Sequence, residues 1–594
     1  MEPVRYHVAI DDAHSHVYAV AATFAGPFAG HALDVFLPAW TPGSYLAREF
    51  ARNVMSASAE DERGQPLPIE KRDKATWRVA AANAARVTVR MRVYANDLTV
   101  RTSHLDGSHA YFNGANLFPS RLESRDTPCV LTLDVPKGWT VSTTLPPDGK
   151  GFRADDYDHL VDCPVEMGTH EVLTFDAGGV PHELVIWGEG NLDRARMLED
   201  LAKIARAQAA LMGGLPFKRY LFLVHLSDKG RGGLEHRDST TLLYPRFGFR
   251  PRKEYEEFLR LASHEYFHSW NVKRIKPKAF DPYDYTRENY TTLLWAMEGF
   301  TSYYEVQALA RAGLLSRDRL LAIWGEDITT LLRTPGRRVQ SVAESSFDSW
   351  IKYYRQDENS KNSGVSYYLK GSLIALVLDF ELRARTNGAK SLDDLMRLLF
   401  ERHGAKGRGL PEDAYSLALA ELGGAEMAAL LAKYVDGIGE IDFTAHLAKA
   451  GLVYRTRAAE SHDDKGGSVG KRGKKKDGEP DEPLPPYIGF EARADRGRSV
   501  VSFVHADSPA AKAGIYAGDE IVAADGWRAE EKAWRTRIAE HAPGERVELT
   551  IFRRDRLMQI AVLLAAPPED TAWIEVAADA PPAAKAILDA WTPR

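Results

Sequence analysis

Cysteine and long apolar runs are both scarce in this sequence, and each scarcity excludes a class of structure. The 594 residues include only two cysteines, Cys129 and Cys163, which form no Cys-x-x-Cys pair. This argues against a thiolate metal site and against a disulfide scaffold, so we expect both to be small buried side chains. No run of about eighteen apolar residues occurs, so no helix is predicted to cross a membrane.

Neither sign of charge is in clear excess. The chain carries 77 Lys and Arg residues against 83 Asp and Glu residues, a formal net charge of -6 at pH 7. This balance offers no electrostatic footprint for nucleic acid or for an anionic membrane, so neither is expected as a partner. Residues 1–7 lead directly into strand-like alternation without an apolar signal core. We therefore expect a cytoplasmic protein, or a periplasmic one if a signal segment was removed.

The length and the changing residue pattern predict a multidomain α+β fold. Short alternating segments typical of strands fill the first part, whereas later segments show helical periodicity. A stretch rich in Lys, Gly and Pro cannot bury apolar surface, and we interpret its basic run as a solvated linker rather than a nucleic-acid-binding arm. The predicted parts are an N-terminal β-sheet domain (1–175), a mixed catalytic domain (176–330), a helical domain (331–457), a flexible linker (458–486), a compact unit (487–567) and a tail with a short helix (568–594).

The most informative motif is a pentapeptide, His264-Glu265-Tyr266-Phe267-His268, in a helix predicted over residues 251–270. Residues four apart share a helix face, so both imidazoles can reach one metal ion. Glu265 stands beside that ion, where a carboxylate can take a proton from water. This arrangement is what a zinc hydrolase requires, although such a pattern also arises by chance in long chains.

A third metal ligand is expected from the next predicted helix, residues 291–312. Glu298 lies thirty residues after His268 in a strongly apolar stretch, far enough for a loop and a returning helix. Because burying an unpaired carboxylate is costly, we predict that Glu298 binds the ion; pairing with a surface Lys or Arg is the alternative. Glu305, two turns along the same face, is a candidate for orienting a ligand histidine. The predicted cofactor is one Zn²⁺ per chain.

Several separated segments now carry a family resemblance. Residues 264–268 followed by Glu-Gly-Phe at 298–300 resemble the gluzincin zinc peptidases. Gly-Gly-Leu-Glu-His at 232–236 and Tyr-Leu-Lys-Gly at 368–371 resemble two segments of the aminopeptidase N family. With Trp-Thr-Pro-Gly-Ser-Tyr at 40–45 and the C-terminal unit, the chain is similar over nearly its whole length to the M61 family of PDZ-containing glycyl aminopeptidases. This implies a thermolysin-like zinc peptidase domain with a helical C-terminal half.

The resemblance implies a substrate-binding edge before the metal motif. Glu235 would bind the protonated α-amine of a peptide, and Gly232 and Gly233 would lie where that peptide pairs as an added strand. A surface glutamate with only a structural role is the alternative. Leu234 and His236 stand where the larger family shows Met and Asn, which leaves the donor beside the carboxylate in doubt.

The resemblance also implies how the reaction proceeds. Glu265 would accept the water proton and pass it to the leaving amine. Tyr368 would stabilise the oxyanion that forms at the attacked carbonyl, with neighbouring Tyr367 as its rival for this role.

The compact C-terminal unit resembles a bacterial PDZ domain. It opens with Tyr487-Ile488-Gly489-Phe490 and contains Ser-Pro-Ala-Ala-Lys-Ala-Gly at 508–514 and Ala-Gly-Asp-Glu-Ile-Val at 517–522. The resemblance implies that turn amides of the first segment hold a peptide C-terminal carboxylate, while the following strand pairs with that peptide. A PDZ fold without a ligand, bracing the protease, is the alternative.

Three functions are open at this point. The first is a zinc aminopeptidase that removes small N-terminal residues, glycine and alanine by resemblance. The second is an endopeptidase of the same class, guided by its PDZ unit. The third is a PDZ scaffold with an idle metal site, against which the intact set of motif residues argues.

Overall fold

The computed structural model describes residues 2–471, 484–529 and 533–592. Its β-rich N-terminal part, helical middle and C-terminal PDZ unit confirm the predicted α+β class. The chain divides into two compact units: the first holds residues up to 291 with 304–314 and 396–414, and the second holds the rest. Within the described ranges, every helix is too short or too polar to cross a membrane.

Three sheets build the N-terminal part of the first unit. The largest is, in spatial order, Pro147–Asp148, Gly151–Ala154, Cys129–Leu133, Val4–Asp12, Val17–Ala25, Arg86–Tyr94, Val54–Asp61 and Pro66–Leu67. The others are Ala32–Phe36, Thr76–Ala80 and Ile69–Lys71, and Thr140–Ser142, Val165–Gly168, His109–Phe112 and His104–Leu105.

Strict alternation explains why these segments form half-buried strands. Along Arg86–Tyr94 every second residue is buried, so one face packs into the core and the other meets solvent. Cys129 and Cys163 are free and buried in that core, as expected, and burial raises the pKa of Cys129 to about 12. A thiol with so high a pKa stays protonated and acts as a small apolar side chain.

A five-stranded mixed sheet completes the first unit. Its spatial order is Glu171–Ala177, Val180–Trp187, Tyr220–Ser227, Ser239–Pro245 and Gly232–Glu235. The middle strand pairs in parallel with both neighbours and is buried along its whole length, as parallel strands usually are. Gly232–Glu235, called the edge strand below, pairs only with Ser239–Pro245. The glycine-bearing segment before the motif therefore lies at a sheet edge.

The helices around the motif differ from the predicted ones at their ends. The motif helix spans Arg252–Phe267, so His268 is its C-terminal cap residue and the helix does not continue to residue 270. The helix predicted over 291–312 is two helices, Leu294–Met297 and Gly299–Arg311, with Glu298 between them. Two further helices of the first unit are Tyr157–Val161 and Arg194–Met212.

The second unit is mainly helical before residue 450. Its helices beyond the junction at Glu298 are Arg317–Leu332, Val342–Phe347, Ser360–Ser363, Tyr367–Arg385, Leu392–Arg402 (shared with the first unit), Ala414–Gly423, Ala425–Val435 and Phe443–Leu447. Strand Leu452–Arg457 then pairs with Thr571–Val576, which follows the PDZ unit. Helix Pro582–Trp591 ends the described chain and buries Trp591. The tail thus contributes a strand that its pattern does not predict.

The PDZ unit lies in the chain between these two paired strands. Its strands are Phe490–Asp495, Arg498–Val504, Glu520–Ala524, Trp527–Arg528, Arg546–Arg553 and Arg556–Leu563, and its helices are Pro509–Ala513 and Ala533–Ala539. It has an apolar core of its own, which includes Ile488 and Phe490.

The predicted linker is described only in part. Asp464 accepts hydrogen bonds from Arg457, and its carbonyl accepts one from Arg333. The amide of Gly467 donates to the Ala572 carbonyl. Residues 458–471 therefore pack on the second unit, whereas residues 472–483 of the predicted linker lie outside the described ranges.

Candidate metal centre and substrate cleft

The two motif histidines are each oriented by a hydrogen bond at Nδ1. Nδ1 of His264 lies 2.8 Å from Glu305 Oε2, and Nδ1 of His268 lies 2.8 Å from the Asn271 carbonyl oxygen. A carboxylate and a carbonyl only accept, so in both neutral rings Nδ1 carries the hydrogen. Each Nε2 therefore keeps its lone pair, which is the form that binds a metal ion.

Glu305 is itself fixed in its ionised form. Its Oε1 accepts hydrogen bonds from Arg260, whose Nη2 lies 2.8 Å away. Burial opposes ionisation of this carboxyl, but Arg260 and His264 outweigh it and hold the pKa of Glu305 below its usual range. A fixed negative charge next to His264 makes the imidazole more basic and so a better metal ligand, which supports the orienting role predicted for Glu305.

We expect the replacement Glu305→Gln to weaken zinc binding about 10- to 100-fold, because the amide supplies no charge to polarise His264. Chelator competition would measure this affinity directly. Glu575→Gln is the matched control, since Glu575 forms an exposed pair with Arg455 in the second unit. Equal zinc affinity in Glu305→Gln and in the control would contradict the orienting role.

The donor set of the motif fits a zinc ion. Ligand atoms of His264, His268 and Glu298 all lie within 4.8 Å of one another. Glu298 directly precedes the helix that carries Glu305, and residues seven apart lie on one helix face. Two imidazoles and one carboxylate are a common catalytic zinc set, which leaves a coordination position for water or substrate.

The candidate base, Glu265, and the candidate amine-binding residue, Glu235, lie close together in the first unit. Glu235, Glu265 and His268 form a second set of buried side chains whose ligand atoms lie within 4.8 Å of one another. Gly233 packs on Glu265, since a Cβ at residue 233 would overlap the Glu265 carboxylate. The edge strand thus needs glycine here to bring its backbone against Glu265.

Glu235 is a buried carboxylate with an unanswered hydrogen-bonding capacity. It is 3% exposed, and its Oε1 has no hydrogen-bond partner. Gly43, with φ of +87°, presses on the same group, since a Cβ there would lie 2.5 Å from Oε1 and 2.6 Å from Oε2. Leaving such an oxygen buried and unpaired is costly, so this carboxylate is a candidate binding group for a cation or a hydrogen-bond donor.

A buried ion pair ties the end of the edge strand to the loop after the motif. Lys273 Nζ lies 2.6 Å from Asp162 Oδ1, and His236 Nδ1 lies 3.2 Å from the same oxygen. Burial opposes ionisation of Asp162, but Lys273 and His236 hold its pKa well below its usual range. His236 Nδ1 therefore donates to Asp162.

The candidate tyrosine belongs to a cluster in the second unit. The Tyr368 hydroxyl lies 2.9 Å from that of Tyr354, and its ring stacks on Tyr353 and Tyr367. Burial raises the pKa of Tyr368 well above its usual value, and the charge of Glu298 is the next cause. The pKa of Tyr367 is also raised by burial, and there the neighbouring Tyr354 contributes more than the charge of Glu298. The negative charge of Glu298 therefore acts on both hydroxyls.

One cleft residue carries no signal in the sequence. Arg101, in a loop of the N-terminal part, donates from Nη2 to the Gly233 carbonyl at 3.4 Å. Its Nη1 also lies 3.7 Å from where a Cβ of Gly232 would stand. Because 132 residues separate Arg101 from Gly233, no local pattern points to the contact.

The PDZ unit presents a cavity beside the predicted carboxylate-binding loop. This cavity of about 990 Å³ is lined by Tyr487, Ile488, Gly489 and Phe490, and by Trp534 and Ile538 of helix Ala533–Ala539. In a PDZ fold a peptide enters between such a loop with its strand and such a helix. The loop therefore has room for a chain end.

Three family models match separate parts of the chain. A peptidase M61 N-terminal domain matches residues 5–169, an M61 glycyl aminopeptidase matches residues 257–374, and a PDZ domain matches residues 486–564. The metal motif, Glu298 and Tyr368 all fall within the second match. These matches confirm the family resemblance and the PDZ assignment.

The chain is also similar to solved structures and curated proteins. An aminopeptidase N family protein from Idiomarina loihiensis is 33% identical, with all of both chains covered and a TM-score of 0.92. An M1 zinc metallopeptidase from Deinococcus radiodurans is 14% identical over 74% of this chain and 94% of that one, with a TM-score of 0.46. A probable periplasmic serine endoprotease, DegP-like, from Brucella suis is 38% identical over 78 residues, which are 13% of this chain and only 15% of that relative.

Proposed function

Because the chain belongs to the M61 glycyl aminopeptidase family and is a zinc metallopeptidase, we propose that it removes N-terminal glycine and alanine from peptides. In this proposal His264, His268 and Glu298 hold the zinc ion. Glu265 is the general base and Glu235 binds the substrate amine. Because this set is intact, it argues against a PDZ scaffold with an idle metal site.

The short distance between Glu235 and the metal motif carries the proposal. Ligand atoms of Glu235, Glu265 and His268 lie within 4.8 Å of one another. An α-ammonium bound at Glu235 is one Cα away from the carbonyl of its own residue. The carbonyl beside Glu265 is therefore that of the first residue, and cleavage releases a single amino acid. This geometry supports an aminopeptidase over the endopeptidase alternative.

The side chains divide the work of peptide hydrolysis. When bound, zinc supplies a Lewis acid that polarises the carbonyl and acidifies water. Glu265 takes the proton from the attacking water and returns it to the leaving amine. The Tyr368 hydroxyl donates to the oxyanion as it forms. The backbone of Gly232 and Gly233 pairs with the substrate, which aligns its scissile bond with the base.

The packing around Glu235 supports the preference for small residues. Gly43 approaches both carboxylate oxygens, and Gly233 approaches Glu265, so backbone lies close to both groups that meet the first substrate residue. A side chain on the first substrate residue must occupy this space. Each added methylene is therefore expected to disfavour a substrate relative to glycine by about 1–3 kcal/mol. Glycine and alanine fit with the least displacement.

We expect Tyr368→Phe to lower kcat about 100-fold with little change in KM, because the hydroxyl acts only on the charge that develops in the transition state. Steady-state kinetics on a glycyl peptide would show the split. Tyr367→Phe is the matched control, being the adjacent buried tyrosine. A larger loss in Tyr367→Phe than in Tyr368→Phe would assign the role to the rival residue.

For the PDZ unit we propose that Tyr487, Ile488, Gly489 and Phe490 bind the C-terminal carboxylate of a peptide partner. The cavity beside this loop supports the role, since the loop and helix Ala533–Ala539 line part of it, together with residues from segments 332–339, 459–465 and 567–570 of the second unit. Fluorescence anisotropy with labelled peptides bearing a free or an amidated C-terminus tests it. Equal binding of the two forms would exclude recognition of the carboxylate, and no binding of either form would leave the unit as a brace.

Comparison of free and N-acetylated glycyl peptides tests the proposed activity. The free peptides should be cleaved and the acetylated ones should not, because acetylation removes the ammonium that Glu235 binds. Equal cleavage of both would reject the aminopeptidase in favour of the endopeptidase.

A further inference from the structure

We propose that Arg101 binds a carboxylate at the third residue of the substrate, so that tripeptides with a free C-terminus are preferred. The inference rests on the proposed function, because it takes the amine end of the substrate to lie at Glu235. It adds a second anchor at the opposite end of a short peptide.

The guanidinium of Arg101 lies against the edge strand, on the side where a peptide would pair as an added strand. Nη2 donates to the carbonyl of Gly233 at 3.4 Å, and Nη1 faces Gly232. Asn116 holds the loop in place by donating from Nδ2 to the Arg101 carbonyl at 3.1 Å. Arg101 is therefore a positioned cation at the strand that receives substrate.

The charge of Arg101 is available to a ligand. In the described ranges no carboxylate lies within ion-pair distance of its guanidinium, although its Nε is buried and lacks a hydrogen-bond partner. The residue keeps partial exposure, so a substrate can reach the outer nitrogens. A guanidinium is well suited to a carboxylate, which it binds through two parallel hydrogen bonds.

The strand register sets the length of the substrate. A peptide that pairs antiparallel with the edge strand and starts at Glu235 advances about 3.3 Å per residue toward Gly232. Within about three residues such a peptide passes from the Glu235 carboxylate, over Gly233 and the Glu265 that packs on it, to Gly232 beside the Arg101 guanidinium. In a tripeptide the group at that point is the terminal carboxylate, which meets Arg101. The cleft thus offers an anion for the ammonium and a cation for the carboxylate.

The same carboxylate chemistry has two sources in peptides. One is the C-terminus of a tripeptide, and the other is an Asp side chain at the third residue of a longer or blocked peptide. Four substrates separate them: Gly-Gly-Gly, its C-terminal amide, Gly-Gly-Asp-amide and Gly-Gly-Asn-amide. We expect kcat/KM for Gly-Gly-Gly to exceed that of its amide about 10- to 100-fold, mainly through KM, because one charge-assisted pair is lost.

The variant Arg101→Met should bring the ratio of acid to amide close to one, and Arg101→Lys should restore part of it by returning the charge. Arg52→Met is the matched control, an exposed arginine of the same N-terminal part, and it should keep the wild-type ratio. Thermal melts and zinc content of each variant identify any loss of folding. Discrimination that survives in Arg101→Met would overturn the proposal.

The substrates also separate this inference from the proposed function. If wild-type enzyme cleaves the amide as well as the acid, and shows no preference for Asp over Asn, Arg101 has no such role. The aminopeptidase stands in that case as long as N-acetyl-Gly-Gly-Gly resists cleavage. A preference confined to Gly-Gly-Asp-amide would keep the carboxylate site and assign it to an acidic side chain.

Discussion

The variant Glu265→Gln should keep its zinc ion and lose about 10⁴-fold in kcat, the upper range for one general acid–base group. Glutamine has nearly the same shape, so the contact with Gly233 is preserved, but its amide cannot take a proton from water. The metal ligands are untouched, which separates loss of the base from loss of the ion. Elemental analysis with kinetics on a glycyl peptide measures both quantities.

Glu254→Gln is the control for this variant. Glu254 lies in the first turn of the same helix and is exposed, so it should keep wild-type activity and zinc content. Substantial turnover by Glu265→Gln at full zinc content would remove Glu265 from the mechanism. Loss of zinc from that variant would instead show that Glu265 supports the metal site.

The second large effect is expected at Glu235. In Glu235→Gln the substrate ammonium loses its charged partner in a buried cleft, which costs about 3–5 kcal/mol, or roughly 150- to 5000-fold in kcat/KM. The free protein should not be destabilised, because the change removes a buried carboxylate whose Oε1 has no partner. The value of kcat/KM should therefore fall, whereas the unfolding free energy should not.

Kinetics on free and N-acetylated peptides, together with thermal melts, would check both parts. Glu171→Gln is a suitable control, since Glu171 forms a surface pair with Arg194. If Glu235→Gln keeps its preference for free over acetylated peptides, the amine is bound elsewhere. If it unfolds at a clearly lower temperature, Glu235 has the structural role that its sequence context left open.

The elements that the sequence predicts best are those with local signals. Helix Arg252–Phe267 follows from apolar periodicity and is found close to its expected bounds. The spacing from His268 to Glu298 predicts a returning helix, and the two residues do fall in one candidate ligand set. A metal motif is local because one helix turn carries most of it.

Helix ends at the site are less predictable because side chains there have other partners. The motif helix ends at Phe267, since the chain turns so that the Asn271 carbonyl meets His268 Nδ1. Val272 follows with φ of +94°, a conformation that a β-branched residue adopts only under tertiary constraint. Periodicity alone extends this helix by three residues.

The cleft beyond the motif depends on contacts between distant segments. Gly43 meets Glu235, Asp162 meets Lys273, and Arg101 meets Gly233. None of these pairs has a sequence signature, because folding of the N-terminal sheets onto the catalytic sheet creates them. The strand Thr571–Val576 was missed for a similar reason, as its partner precedes the whole PDZ unit.

We propose that Glu235 binds the free amine of a peptide and so positions its first peptide bond, which means that one residue leaves at each turnover. A mass-spectrometric time course on an unblocked peptide such as Gly-Ala-Gly-Ala-Phe-Leu measures this directly. We expect successive loss of single residues from the N-terminus, slowing when phenylalanine becomes the first residue. Early appearance of internal fragments, with the N-terminal glycine still attached to its neighbours, would contradict it.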